Sequence, residues 1–252
     1  MKLIERAITR AVRMVPMKFV QSRLTRSVVS FTFDDFPKSA WTVGGDILAR
    51  YGALATYYTA GMFCGRTVDG IEYYDRSDLL GVHAAGHEVG DHTFSHDHGR
   101  KVDSEHLITD IARNTAFIQE ILGDVVPTSF AYPYGEASFR TKRLCAGHFA
   151  CCRGTEFGLN RKLIDLSQLR IVSLENRMHH TGTVAKSIEV ASLIPSWIIF
   201  LTHDIAENAS IWGSKPEMLD TALSRVREAG LEILTVKDAL TRACFGFSSP
   251  QN

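Results

Sequence analysis

Two short strings of the sequence carry residue types that suit metal-assisted hydrolysis. Asp34 and Asp35 follow directly on an apolar run, and His92 and His96 lie four residues apart further along the chain. One carboxylate and two imidazoles can hold a divalent metal and leave positions open for water and substrate. The second carboxylate can then act as a general base, and His203 can act as an acid.

The carboxylate pair adds weight to the histidine pair, which alone is a weak signal in a chain with 10 histidines. Burying Asp34 and Asp35 at the end of an apolar strand costs free energy unless a metal or another partner compensates. We expect His92 and His96 to share a helical turn, on which positions i and i+4 face the same way. The sequence therefore predicts one aspartate as the third metal ligand.

The elements that must position these residues alternate regularly from Val28 onward: apolar strand, loop, amphipathic helix, glycine, next strand. This alternation predicts a mostly parallel sheet, and the lack of a dinucleotide-type glycine pattern favours a barrel. The polar strings follow directly on the strands, which places them at one mouth of a barrel. Strands are predicted over 28–33, 53–59, 88–92, 129–132, 149–153, 169–172, 197–201 and 231–235. Helices are predicted over 40–51, 77–85, 103–122, 138–146 and 216–229.

Composition narrows the class of protein. A length of 252 residues suits a single α/β barrel, and 28 basic against 28 acidic residues leave no charge excess for binding nucleic acid. The five cysteines are predicted to be free thiols, because their number is odd and no secretory signal pattern precedes them. We expect a cytoplasmic protein on the same ground.

The N-terminal residues 1–26 carry seven basic side chains and one acidic side chain, with apolar residues at helical spacing between them. Two interpretations stay open: a helix packed over one end of the barrel, or a basic amphipathic helix that makes peripheral contact with the cytoplasmic face of a membrane. The predicted organisation is therefore a basic segment over 1–27 and one catalytic domain over 28–252.

The chain resembles the polysaccharide deacetylase family, which includes chitin, peptidoglycan and nodulation-oligosaccharide deacetylases. The resemblance extends from about Val28 to Thr235 and implies an α/β fold, a distorted (β/α) barrel with about seven parallel strands of the NodB-homology type. Four strings carry it in the family's order: Thr32-Phe33-Asp34-Asp35, His92-Thr93-Phe94-Ser95-His96, Phe130-Ala131-Tyr132-Pro133-Tyr134-Gly135 and Leu201-Thr202-His203-Asp204.

The resemblance also implies a reaction, the hydrolysis of an N-acetyl or, less often, an O-acetyl group on a carbohydrate. Asp34 would be the general base, and His203 would be the general acid that protonates the leaving amine. Asp35, His92 and His96 would bind a divalent metal, with Zn²⁺ first and Co²⁺ or Ni²⁺ as alternatives.

The same resemblance implies the walls of the site. The N–H of Tyr134, which follows Pro133, would help to stabilise the oxyanion. Leu201 and Trp212 would line the pocket for the acetyl methyl and the sugar ring.

The sequence leaves undecided which residue positions the catalytic aspartate and which positions His203. Many family members carry an arginine in the third motif that steadies the catalytic aspartate, and this chain has none there. Arg170 is the first candidate to replace it and Arg153 the second. For orienting His203, Asp204 is the nearest carboxylate, and a more distant one is an equal alternative.

Three functions are weighed on this basis. The leading one is a metal-dependent deacetylase acting on an intracellular precursor of a surface polysaccharide, such as a nucleotide- or lipid-linked sugar. The second is hydrolysis of a small non-sugar amide on the same barrel. The third is a barrel that binds saccharide without turnover, against which the complete set of base, acid and ligands argues.

Overall fold

Seven parallel strands close into a barrel, and helices cover its outside. The computed structural model describes residues 11–12, 15–178 and 181–246. The strands in chain order are β1 (Phe19–Gln21), β2 (Val28–Phe33), β3 (Thr56–Thr59), β4 (Thr67–Val68), β5 (Ile71–Glu72), β6 (Glu88–Asp91), β7 (Ser129–Ala131), β8 (Cys151–Phe157), β9 (Leu163–Asp165), β10 (Leu169–Ser173), β11 (Trp197–Thr202) and β12 (Glu232–Ile233). The α-helices are α1 (Lys38–Thr42), α2 (Gly44–Arg50), α3 (Arg76–Ala84), α4 (Ser104–Leu122), α5 (Phe139–His148), α6 (Thr181–Leu193), α7 (Pro216–Glu228) and α8 (Val236–Phe245).

The ring runs in the order β2, β3, β6, β7, β8, β10 and β11, and β11 pairs again with β2 to close it. This closing pair is the longest, since all six residues of β2 lie opposite β11 in parallel register. The closed ring confirms the predicted barrel. The predicted last strand is reduced to β12, which pairs with Val28 and Val29 and stands beside the ring.

Side chains of β2 alternate between the helix-covered outside of the barrel and its interior, as the period of two in a strand requires. Val29, Phe31 and Phe33 pack with the surrounding helices. Val28 belongs to a second cluster inside the barrel, to which α8 contributes buried alanines. Asp34 continues the alternation of Val28, so its carboxylate faces the inside of the barrel at the point where the strand ends.

The N-terminal segment is attached to the barrel. Strand β1 pairs antiparallel with β9, so the predicted helix over 1–26 is wrong for residues 19–21. The fully buried Lys142 ammonium donates hydrogen bonds to the carbonyl oxygens of Val12 and Val15, at 3.2 and 2.7 Å, and to Asp165 at 3.1 Å. Residues 1–10 and 13–14 of the predicted segment lie outside the described residues. In the part of the chain that is described, no helix is long and apolar enough to cross a membrane.

Several elements differ from their predicted bounds. The single helix expected over 40–51 is two helices, α1 and α2, which meet at Val43. Helices α6 and α8 were not predicted. In α6 polar and apolar residues do not separate into clear faces, whereas α8 is amphipathic and Thr235 caps it, so its signal was present and missed. All five cysteines are free thiols, as predicted.

A buried histidine at the start of β6 makes the fold sensitive to acid. His87 accepts a hydrogen bond from the N–H of Ala55, at 3.0 Å, and burial lowers its pKa to about 4. Below pH ~6.5 the His87 imidazole binds a proton in the unfolded chain but stays neutral in the folded protein. The free energy of unfolding therefore decreases as pH falls toward 4.

His87→Gln keeps an acceptor and removes the titration. We expect wild type to lose roughly 2–3 kcal/mol more than this variant between pH ~7 and pH ~4.5, measured by urea unfolding. His83→Gln, at an exposed position on α3, is the matched control. Parallel pH dependence of wild type and His87→Gln would contradict the assignment.

Candidate active site

The two aspartates that follow β2 have different surroundings. Asp34 is 4% exposed, its N–H donates to the Thr202 carbonyl at 3.1 Å, and its carboxylate accepts from the guanidinium of Arg153. Asp35 turns toward the loop after β6. The pair is thus divided into one aspartate that contacts arginine and one that contacts two histidines, and the roles of base and ligand stay predictions.

Asp35, His92 and His96 converge on one point. Oδ1 of Asp35 lies 3.2 Å from Nε2 of His92 and 3.0 Å from Nε2 of His96, and the three ligand atoms all lie within 4.8 Å of one another. Oδ1 is buried and accepts no well-oriented hydrogen bond. The Nδ1–H of His92 donates to the Ala131 carbonyl at 2.8 Å, which leaves the lone pair of Nε2 directed at the cluster. An oxygen and two nitrogens so arranged fit a zinc-like divalent ion.

The pKa shifts in this cluster agree with a cation site. Burial alone would raise the pKa of Asp35, but His96 and His92 outweigh it and hold that pKa well below the usual range. Burial alone would lower the pKa of His92, but Asp35 and Asp34 raise it. The cluster therefore favours positive charge beside Asp35.

The histidines reach this point from a loop. The predicted helical turn is wrong, because the residues after β6 form no helix. Thr93 and His96 instead have positive φ angles, 56° and 51°, and these two turns bring His92 and His96 to the same side.

Two polar residues of α4 hold this loop, and the sequence reasoning missed both. Asp110 accepts from the N–H groups of Phe94 and Ser95, at 3.1 and 2.9 Å. Asn114, fully buried, donates to the carboxylate of Asp91 at 2.9 Å. The sequence did contain a signal for them: at helical spacing, Asp110 and Asn114 fall on the same face of α4 as its buried apolar residues.

Left-handed backbone is concentrated in the loops of this mouth. Among the described residues, seven non-glycine positions have positive φ, and five of them are in these loops. The five are Asp35, Phe36, Thr93, His96 and Tyr134. Such conformations persist only where the surrounding structure fixes them, and they are typical of functional sites.

Arg153 takes the place that the sequence analysis gave first to Arg170. Arg153 is fully buried on β8, bonds to Asp34 and donates to the Gly154 carbonyl at 2.9 Å. Arg170 is exposed on β10, where strand alternation turns its side chain away from the barrel interior. The second candidate is therefore the one that contacts the aspartate.

His203 follows β11, where its ring is hydrogen-bonded to the Trp212 carbonyl and Glu175 is the carboxylate beside it. Its Nδ1 lies 3.1 Å from the Trp212 carbonyl oxygen and 3.6 Å from Oε1 of Glu175, which is 2% exposed. Asp204 instead accepts hydrogen bonds from Ser210. The carboxylate nearest to the His203 ring nitrogen is thus Glu175, more distant in sequence than Asp204, and the sequence carried no signal that singled it out.

Glu175→Gln is expected to lower kcat by about 10- to 100-fold, because the imidazolium formed during proton transfer loses the carboxylate beside it. KM should change less than kcat, since glutamine keeps the volume that Glu175 contributes to the wall of the Leu201 pocket. Steady-state kinetics checks this against Glu217→Gln, an exposed glutamate of α7. Unchanged kcat would show that Glu175 does not act on His203.

The predicted wall residues occupy different places. Leu201 lines a pocket of about 260 Å³ that Glu175 and Arg177 also line. The Trp212 ring, 42% exposed, lies under the Arg177 guanidinium at 3.6 Å and beside the His203 ring at 6.2 Å. Trp212 does not line that pocket.

Pro133 and Tyr134 stand on the metal side of the mouth. Pro133 is buried, and the Tyr134 ring is 53% exposed, stacked at 3.9 Å on His98 and 4.6 Å from the His96 ring. Tyr134 has a φ of 58°, which sets the direction of the adjoining peptides. The oxyanion role of its N–H stays a prediction.

Comparison with known proteins finds relatives by sequence. A sequence model for the polysaccharide deacetylases matches residues 21–147. A chitin deacetylase of a Pestalotiopsis species is 30% identical over 105 residues, 42% of this chain and 33% of that protein. The matched part thus spans about a third of that relative's length.

Solved structures share the fold. One described as T48 deacetylase with substrate has a TM-score of 0.62 and 22% identity, and the match covers 87% of this chain and 93% of that one. A family 4 acetyl xylan esterase from Clostridium thermocellum, in complex with a cobalt ion, has a TM-score of 0.60 and 21% identity, with coverage of 85% and 91%.

Proposed function

Because the chain belongs to the polysaccharide deacetylase family, we propose that it is a metal-dependent hydrolase that removes an acetyl group from a carbohydrate. One observation carries the proposal: the buried Asp34–Arg153 pair lies directly beside the convergent Asp35, His92 and His96. A base and a cation site in one barrel mouth are what hydrolysis of an acetyl group requires.

Asp34 is suited to take a proton from the attacking water. Its Oδ1 is bound to Arg153, so its second oxygen is left for the proton. The water oxygen bonds to the acyl carbon as this proton leaves. Asp35, His92 and His96 would hold a divalent ion, which when bound supplies Lewis-acid chemistry at the carbonyl oxygen.

His203 is suited to complete the reaction. Its Nδ1–H donates to the Trp212 carbonyl, which leaves Nε2 to deliver a proton to the departing nitrogen or oxygen. The bond between the acyl carbon and that atom breaks, and acetate and the free amine or alcohol result. Glu175, 3.6 Å from Nδ1, stabilises the charged imidazole.

The acetyl group can be joined through nitrogen or oxygen. The Pestalotiopsis relative is named a chitin deacetylase, which supports an N-acetyl substrate. The structural neighbour from Clostridium thermocellum is named an acetyl xylan esterase, which supports an O-acetyl substrate. We propose the N-acetyl substrate first, and the cobalt ion of that neighbour supports Co²⁺ beside Zn²⁺.

The test is acetate release from metal-stripped protein, with and without added Zn²⁺ or Co²⁺. The substrates are N-acetylated chitooligosaccharides, N-acetylated sugar phosphates, an O-acetylated xylan and a small non-sugar amide. Metal-dependent release from saccharides that disappears in Asp34→Asn is the expected result. Release from the small amide alone would favour a non-sugar amidase, and saccharide binding without release would favour a binding module.

A further inference from the structure

A basic groove of about 820 Å³ adjoins the Leu201 pocket. It is bounded by β8, the segment before β9, β10 and α6. Phe157 and Thr183 line both spaces, so the groove is continuous with the pocket. We define the basic groove by six of its lining residues: Phe157, Arg161, Leu163, Arg170, Lys186 and Val190.

Three cations face this groove, and none of its lining residues is acidic. Over the described ranges, no carboxylate forms an ion pair with Arg161, Arg170 or Lys186. Arg153 and Arg177, in the mouth itself, are each paired with an acid. Like charges gathered on one concave wall repel one another, and an anion held between them removes that cost.

We propose that the basic groove binds a phosphate ester carried by the saccharide substrate. This rests on the proposed deacetylation, since the acetyl group would enter the pocket at Leu201 while the phosphate lies in the groove. Phe157, 57% exposed, stands between the two spaces and offers its ring to the sugar. The substrate class is therefore an acetylated sugar phosphate rather than a neutral polymer.

The lining chemistry favours phosphate. Two of the three cations are arginines, whose planar guanidinium groups bind phosphate through paired hydrogen bonds. Leu163, 59% exposed, and Val190 add apolar surface beside them. Apolar surface next to a phosphate site suits the group on the far side of the ester, which a nucleoside and a lipid can both supply.

The first measurement is calorimetric titration with N-acetylglucosamine 1-phosphate and with N-acetylglucosamine. Wild type is compared with Arg161→Gln/Arg170→Gln/Lys186→Gln. The matched control, Arg143→Gln/Arg225→Gln/Lys237→Gln, removes two exposed arginines and one exposed lysine outside the groove. We expect the phosphorylated sugar to bind at least about tenfold more tightly than the neutral sugar, and the groove variant alone to lose this preference.

Two further ligands separate the sources of the phosphate. UDP-N-acetylglucosamine tests a nucleoside diphosphate, and N-acetylglucosamine linked through diphosphate to a polyprenyl chain in detergent micelles tests a lipid. Tighter binding of either than of the simple phosphate identifies the group beyond the ester.

These measurements distinguish a failure of phosphate binding in the groove from a failure of deacetylation. Phosphate-dependent binding that requires the three cations supports the groove even if acetate is never released. Equal affinity for phosphorylated and neutral sugar in wild type overturns the proposal, even in an active deacetylase. So does a preference that survives in the groove variant.

Discussion

Replacing Arg153 with methionine is expected to lower kcat/KM for acetate release by about 10²–10³-fold, because Asp34 loses the group that fixes its carboxylate. The same change should lower the free energy of unfolding by about 3–5 kcal/mol, since it leaves a charge buried without its partner. Both losses come from one contact inside the barrel, between the end of β2 and the middle of β8.

A second substitution separates the two losses. In Asp34→Asn/Arg153→Met both charges are gone, so stability should recover by a large part of the lost energy while activity stays absent. Arg143→Met is the control, because Arg143 is exposed on α5 and lies outside the basic groove. Urea unfolding and acetate release measure the two effects, and a normal rate in Arg153→Met would remove Arg153 from the mechanism.

The second large effect concerns the cation site. Wild-type protein should be stabilised by Zn²⁺, by about 2.7 kcal/mol at a free concentration a hundredfold above Kd, and a chelator should reverse this. His96→Ala removes one of three ligands, so the stabilisation should disappear and activity should fall by at least about 10³-fold.

Thermal unfolding with and without Zn²⁺ checks the binding without any substrate. His83→Ala is the matched control, because His83 is an exposed histidine of α3 and not one of the three clustered ligands. Equal stabilisation of wild type and His96→Ala would show that the ion binds elsewhere.

The sequence predicted the barrel because its strands are apolar runs followed by polar strings. This pattern can be recognised without knowledge of tertiary contacts. It predicted Asp34, Asp35, His92, His96 and His203 for the same reason. The structure brings four of these five into one cluster with Arg153, and places His203 across the mouth next to Glu175.

The remaining features depend on contacts between distant parts of the chain. Arg153 and Asp34 are 119 residues apart, and the sequence favoured Arg170 because nothing in it showed that the alternation of β10 turns that side chain away from the barrel interior. The loop at His92 and His96 resembles a helical turn in spacing, and only its positive φ angles distinguish it. The cytoplasmic location and the polysaccharide-precursor substrate stay predictions from the sequence.

The left-handed positions at the mouth bear on how this protein could be improved in the laboratory. Each non-glycine residue held at positive φ costs about 1 kcal/mol or more, and glycine would remove most of that cost. At Phe36 and Thr93 this gain is outweighed, because the Phe36 ring is fully buried in the core and the Thr93 hydroxyl accepts a hydrogen bond from the N–H of His96 at 3.1 Å. Selection for heat resistance should therefore leave Phe36 and Thr93 unchanged and favour glycine at Asp69 or Lys162, which are exposed, have positive φ and lie outside these loops.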